Sequence, residues 1–126
     1  MKISNTELLR YAKQIILKKI GISGQKKISA AKVLITGVGG LGCPLALYLA
    51  NTGIGNIGII DNDKVDISNL NRQVLFNTDD IGKHKVVQAK KFLNKTNKKI
   101  KINIYKNRLN EKNIKKILNK YDIICD

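Results

Sequence analysis

The sequence is poor in the residues that cross-link a small protein or load it with metal. Its 126 residues include two cysteines, Cys43 and Cys125, and a single histidine, His84. Two cysteines make neither a disulfide framework nor a metal quartet, so a reducing, cytoplasmic setting is the expectation and no metal-ligand set is assigned. No apolar run is long enough to span a bilayer, and residues 1–10 lack the apolar core of a signal peptide. There is no Trp, one Pro, and only 5% aromatic residues. No repeat, Pro/Ser linker or low-complexity block divides the chain, whose length suits one compact domain. Acids are scarce as well, 9 Asp and Glu against 24 Lys and Arg. Apolar residues, by contrast, make up 43%, which excludes a disordered tail.

A net charge of +15 suggests a polyanionic partner, but its make-up weakens that reading. Of the basic residues 21 are Lys and only Arg10, Arg72 and Arg108 are Arg. Lys, Ile and Asn together supply 55 residues, and these three share adenine- and thymine-rich codons. The charge is also uneven: +7 over 1–60, −3 over 61–80 and +13 over 83–120. Lys90, Lys91, Lys112, Lys115 and Lys116 complement apolar helix faces as ordinary solvated surface does. With aromatics few and Arg rare, the pattern argues against nucleic acid. The acidic island at 61–80 is the more informative feature.

Ser4-Asn-Thr-Glu7 has the form of a capping box, and Leu8, Leu9, Ala12, Ile15 and Ile16 follow at helical spacing, with Gly21 as the stop. A short second helix is expected over about 25–31. Strand and helix then alternate: a strand at 32–36, a helix at 43–50, a buried strand at 56–61, and an irregular stretch to Gly82. Such long loops inside compact domains are uncommon and usually functional. A helix over 83–95, a strand at 100–104, a helix begun by Asn110 and a strand at 122–126 complete the chain. This order predicts a Rossmann-like α/β fold, a mostly parallel sheet with helices on both faces, preceded by N-terminal helices. The division expected is 1–31, helical, and 32–126, α/β. The last strand reads as an interior one, so the domain is expected to be incomplete.

Gly37-Val-Gly39-Gly40-Leu-Gly42 satisfies G-x-G-x-x-G between a predicted strand and a predicted helix. Glycines let the backbone turn tightly and approach a phosphate, and the helix start offers free N–H groups to the anion. Asp61 lies 19 residues beyond Gly42, at the end of the next strand, where a carboxylate can accept from ribose hydroxyls. The motif points to a nucleotide without separating a dinucleotide such as NAD or FAD from ATP.

The segment after Asp61 is unusual for a plain dinucleotide fold. Asp63 and Asp66 precede Ser68, Asn69, Leu70, Asn71, one of the three arginines, Arg72, and Gln73. Lys85 follows near the start of the next helix. A triphosphate needs cations that track its moving charge, and Arg and Lys on a covering loop supply them.

Five motifs together resemble the N-terminal half of the ThiF/MoeB/HesA enzymes, bacterial relatives of ubiquitin-activating E1 proteins. They are Arg10-Tyr-Ala-Lys-Gln-Ile-Ile-Leu17, Gly24-Gln25, Val33-Leu-Ile-Thr-Gly-Val-Gly-Gly-Leu-Gly42, Asn69-Leu-Asn-Arg-Gln73 and Ile81-Gly-Lys-His-Lys85. The resemblance implies an ATP-dependent adenylyltransferase. In such an enzyme the C-terminal Gly-Gly carboxylate of a ubiquitin-like sulfur carrier, of thiamine or molybdopterin type, attacks the α-phosphate. It further implies that Gly37, Gly39, Gly40 and Gly42 cradle the nucleotide and that Asp61 holds the ribose. Ser68, Leu70 and Asn71 would line the nucleotide, Asp63 either touches it or caps the loop, and Asn69, Arg72, Gln73 and Lys85 reach the phosphates. A homodimer is implied too.

Three departures from the family pattern stand out. Lys13 occupies the place of an arginine that reaches across the dimer to the partner's ATP, and Lys lacks the planar fork. The family's Asp-x-Thr-Asp-Asn segment begins at Asp126, so the expected Mg²⁺ ligand lies beyond the chain, as do the zinc and sulfur-handling cysteines. Cys43, just after the glycine loop, is either a thiol activated by a helix start or a small core residue, with the core the better reading. Cys125 reads as core, and His84 as exposed on a lysine-rich helix start. Two other function classes remain: a non-catalytic NAD- or FAD-binding module, and a tRNA-modifying relative of the family.

Overall fold

The computed structural model describes residues 2–126. The first helix, α1 (Asn5–Arg10), begins on the expected capping box. Glu7 N–H donates to Ser4 Oγ at 3.2 Å, and Ser4 N–H donates to Glu7 Oε2 at 2.9 Å. The helix does not run on to Gly21 as its spacing suggested. Tyr11 leaves helical geometry and buries its ring, so α2 (Ala12–Ile15) is a separate turn. Gly21, expected as a stop, instead opens α3 (Gly21–Ala30), with φ +57°.

Four strands follow: β1 (Lys32–Thr36), β2 (Asn56–Ile60), β3 (Lys101–Tyr105) and β4 (Ile123–Cys125). They form one parallel sheet in the order β3-β2-β1-β4, with Thr36 opposite Ile60 and Ile60 opposite Tyr105. Parallel strands buried on both faces read as continuous apolar runs, and β1 and β2 do. Val33, Ile35, Ile57 and Ile59 face the helices α4 (Gly42–Thr52) and α5 (Lys85–Thr96). Leu34 and Ile60 face the opposite way, against Ile117 of α6 (Ile114–Leu118). Burying each such side chain contributes about 1.5–3 kcal/mol. Helices thus lie on both faces of the sheet.

On the α6 face Tyr121 lies flat on the strand at Gly58. A Cβ there would come within 2.2 Å of the Tyr121 hydroxyl, so only glycine admits the ring. β4 pairs with β1 and forms one edge of the described sheet, with Ile123 and Ile124 exposed, as the reading of an interior strand in an incomplete domain expects.

The N-terminal segment is fastened to the end of α4. Asn97 Nδ2 donates to Tyr11 Oη at 2.8 Å and to the Ala50 carbonyl at 3.0 Å, while Gln14 and Gln25 both donate to the Thr52 carbonyl. Gln14 and Gln25 thereby satisfy the Thr52 carbonyl at the helix end, while Asn97 adds a second donor to the Ala50 carbonyl that Gly53 N–H already caps. Among the described residues, no helix is long and apolar enough to cross a membrane.

Candidate functional site

All four strands are parallel, so their C-terminal ends gather the loops that follow them, which is where ligands bind in open α/β sheets. The glycine loop leaves β1 there. Gly37 takes φ +96°, a left-handed conformation that disfavours any other residue, and its N–H donates to the Ile60 carbonyl at 2.8 Å. At Gly42 a Cβ would stand 1.9 Å from the Gly37 carbonyl oxygen, so the loop can fold back onto the helix start only without one. No side chain caps α4; Cys43 N–H donates to the Gly39 carbonyl at 3.0 Å and Pro44 has no N–H, so the Gly42 N–H at the helix start is the first-turn donor left to an anion.

Asp61 joins this loop to the next. Its Oδ2 accepts from Val38 N–H at 2.9 Å and its Oδ1 from Asp63 N–H at 2.8 Å. Each oxygen keeps a second acceptor direction, enough for ribose hydroxyls. A cleft of about 290 Å³ opens beside it, with Thr36, Gly37 and Ile60 below and Asn107, Arg108 and Leu109 on the far side. A second cleft of about 360 Å³, mostly apolar, runs along Gly39, Gly40, Leu41 and Leu45 to Cys125 and Asp126. Thr36, Gly37 and Asp126 line both clefts.

The segment 62–82 holds two short 3-10 turns, Ile67–Asn69 and Thr78–Asp80. Asp66 caps the first, accepting from Ser68 Oγ at 2.6 Å and Ser68 N–H at 2.8 Å; these bonds, side chain first, hold its carboxyl below the ordinary range. Asn69 Oδ1 accepts from Asp66 N–H, leaving its amide donors outward. The turn carries Arg72 over the glycine loop. A Cβ at Gly40 would be 3.5 Å from Arg72 Cδ, and Arg72 Nη1 donates to the Ser68 carbonyl and to Asn71 Oδ1, each at 3.0 Å. Gln73 is buried beneath, its Nε2 3.8 Å from where a Gly39 Cβ would lie. Its Oε1 is buried with no partner, an orphan acceptor at the loop.

Lys85 is buried, at 6% exposure, although most lysines of the chain are solvated. Its Nζ lies 3.9 Å from Asp63 Oδ2. So Gly37–Gly42, Asp61, Asp63, Asn69, Arg72, Gln73 and Lys85 converge on one rim, although they are spread over 49 positions of sequence. Ser68 and Asn71 support Arg72, and Leu70 packs against the main core. Lys13 is not brought to them. Its neighbour Gln14 sits at Thr52, the far end of α4, and an 11-residue helix is about 16 Å long.

Cys43 settles between its two readings. It is fully buried, donates to the Val38 carbonyl at 3.4 Å, and burial pushes its thiol up to about 11. It is a core residue. Cys125 is half-buried, and both thiols are free. His84, expected to be exposed, is half-buried with Nδ1 covered and unpartnered, because residue 84 pairs with Lys64 in an isolated bridge.

The sequence reading missed Asn62, Asn107, Arg108 and Leu109. The scarcity of arginine that drew attention to Arg72 would have found Arg108 too, since it follows β3 as Asp61 follows β2.

Comparison with known proteins bears on this site. The ThiF family pattern matches residues 11–126. The adenylyltransferase and sulfurtransferase UBA4 of Debaryomyces hansenii is 49% identical over 124 residues, 98% of this chain and 28% of its own length. The sulfur carrier protein adenylyltransferase of Thermus thermophilus is 40% identical over 126 residues, the whole of this chain and 46% of its own length. Among solved structures, the E. coli tRNA N6-threonylcarbamoyladenosine dehydratase TcdA in complex with ATP superposes with a TM-score of 0.90 at 26% identity, covering 98% of this chain and 51% of that one. The chain therefore spans less than half the length of these two curated relatives.

Proposed function

We propose, since the chain belongs to the ThiF family, that it carries the nucleotide half of an ATP-dependent adenylyltransferase acting on the C-terminal glycine of a ubiquitin-like sulfur carrier. The observation that carries this reading is Arg72 folded across Gly40, over the helix start where a triphosphate would rest. A dinucleotide pyrophosphate calls for no such cation on a covering loop, and the burial of Lys85 in the same rim supports the same conclusion.

The chemistry asks little of a general base. The carrier's carboxylate is ionised at neutral pH and is already the nucleophile. Its oxygen attacks the α-phosphorus, the bond from that phosphorus to the bridging oxygen of the β-phosphate breaks, and pyrophosphate leaves with the electron pair. The protein then has to align the two reactants and neutralise charge on the departing phosphates. Asp61 holds the ribose, the glycine loop and the start of α4 hold the phosphates, and Arg72 and Lys85 draw charge toward the leaving group. Asn69 and Gln73 orient it with amide donors. Mg²⁺ would arrive with the triphosphate, held chiefly by phosphate oxygens. Among the described residues no three His, Cys or carboxylate groups gather as a ligand set, and the family pattern puts the main Mg²⁺ ligand beyond Asp126.

The same reading assigns residues 1–31 to a helical segment that meets a second copy of the chain. Leu9, Ile16, Leu17 and Ile22 are exposed there, beside Lys13. Lys13 would serve the partner's nucleotide, which accounts for its place at the far end of α4. Free thiols and a buried Cys43 suit a cytoplasmic location. The carrier would serve thiamine or molybdopterin synthesis. The test is ATP–pyrophosphate exchange by the full-length protein with a Gly-Gly-tailed carrier. Exchange that disappears in Arg72→Ala supports the reading; preferential binding of NAD over ATP in calorimetry overturns it.

A further inference from the structure

We infer that Arg108 is a nucleobase-binding residue, its guanidinium covering the purine of the bound ATP with Asn62 fixing its position. The assignment rests on the adenylyltransferase reading above.

The sheet order decides where the base must go. The phosphate loop follows β1 and the ribose carboxylate follows β2, so a nucleotide lying across both runs its base toward the next strand, β3. The loop after β3 supplies Asn107, Arg108 and Leu109 to the 290 Å³ cleft. That loop is held rigidly. Asn110 Oδ1 accepts from the backbone of Lys112 at 2.9 Å and of Asn113 at 3.1 Å, and Asn113 Nδ2 donates to the Arg108 carbonyl at 2.9 Å.

The Arg108 side chain is held at one point and free at the other. Its Nε donates to Asn62 Oδ1 at 3.0 Å, 46 positions back along the chain and next to Asp61. Among the described residues its terminal nitrogens make no hydrogen bond and no ion pair, unlike those of Arg72, which are tied to Ser68 and Asn71. A planar cation anchored through Nε beside an apolar Leu109 presents a face, and a purine offers the π surface that such a face attracts. A residue meant for phosphates would lie on the Gly40 side of Asp61, where Arg72 and Lys85 already are.

The test compares ATP with inorganic tripolyphosphate, which has the phosphates and no base, by calorimetry on the wild-type chain, Arg108→Ala and Arg108→Lys. Arg108 is exposed, so folding is not at stake. The expected result is an ATP Kd raised about tenfold in Arg108→Ala, which loses the stacked cation, and raised also in Arg108→Lys, which keeps the charge without the planar face, with tripolyphosphate binding changed less than about twofold in both. Equal losses for both ligands would make Arg108 a phosphate contact and overturn the assignment. So would ATP binding left unchanged by Arg108→Ala. A wild-type chain that binds NAD and not ATP overturns the underlying reading, and the assignment with it.

Discussion

The Asp61 carboxylate accepts the Val38 backbone N–H at 2.9 Å, so the residue assigned to the ribose also fixes the loop assigned to the phosphates. The pair couples binding to loop geometry. Replacing Asp61 by Asn keeps the size and removes one acceptor, leaving either Val38 N–H or Asp63 N–H unpaired. The expected outcome is a loss of about 1–2 kcal/mol in denaturant unfolding, together with an ATP Kd raised at least about tenfold. A variant that unfolds like wild type would show that the Val38 bond contributes nothing to the loop.

Lys85→Met separates charge from packing. The lysine stem is buried on α5 and methionine fills much the same volume, while the one ion pair it makes, to Asp63, is long and exposed on the acid's side. Stability should change by less than about 1 kcal/mol. Exchange activity should fall about 100-fold, the scale of losing one charge-stabilising group at a phosphoryl centre. Intact exchange in this variant would remove Lys85 from the site.

Cys43 gives a pH signature. Burial raises its thiol to about 11, so between the ordinary thiol value near 9 and that point the unfolded chain has lost the proton and the native chain retains it. The native state binds more protons in that window, and stability therefore falls as pH rises through it. Comparing wild type with Cys43→Ala from pH 8 to pH 11 should show stability falling by about 1–2 kcal/mol more in the wild type than in the variant. In native protein at pH 8 a thiol reagent should modify Cys125 first and Cys43 only on unfolding.

Lys13 and Arg72 should complement one another across a dimer. Lys13→Ala and Arg72→Ala homodimers would each lack one cation at every site. Mixed in equal amounts and allowed to exchange, half the dimers are hybrids with one complete site each, so about one quarter of wild-type activity should return. A mixture no more active than the mean of its parents would confine the site to one chain, or show that Lys13 plays no part.

How much of this was legible depends on which interactions leave a local trace. The strands at Val33–Ile35 and Ile57–Ile60, the capping box at Ser4 and the glycine loop are visible in sequence, because short unbroken apolar runs, cap chemistry and the φ demands of Gly37 act over a few residues. The break at Tyr11 is not. Its spacing is helical, and the helix yields because the ring is drawn into a pocket made by Gly53 and Asn97, more than 40 positions away. His84 misled because the bridge to Lys64 forms only once the loop has closed.

The sequence by itself determined the parallel α/β class, the phosphate-type loop and an acidic, arginine-bearing segment after β2, since each follows from periodicity, backbone freedom or charge within short windows. Only the tertiary structure decided that Arg72 lies on Gly40, that Lys85 is buried beside Asp63, that Lys13 is held at the opposite end of α4, and that Arg108 reaches Asn62. Those relationships join residues tens of positions apart through contacts without a repeating pattern. They exist because sheet order and loop closure bring the strand ends together, and neither is written at any one place in the chain.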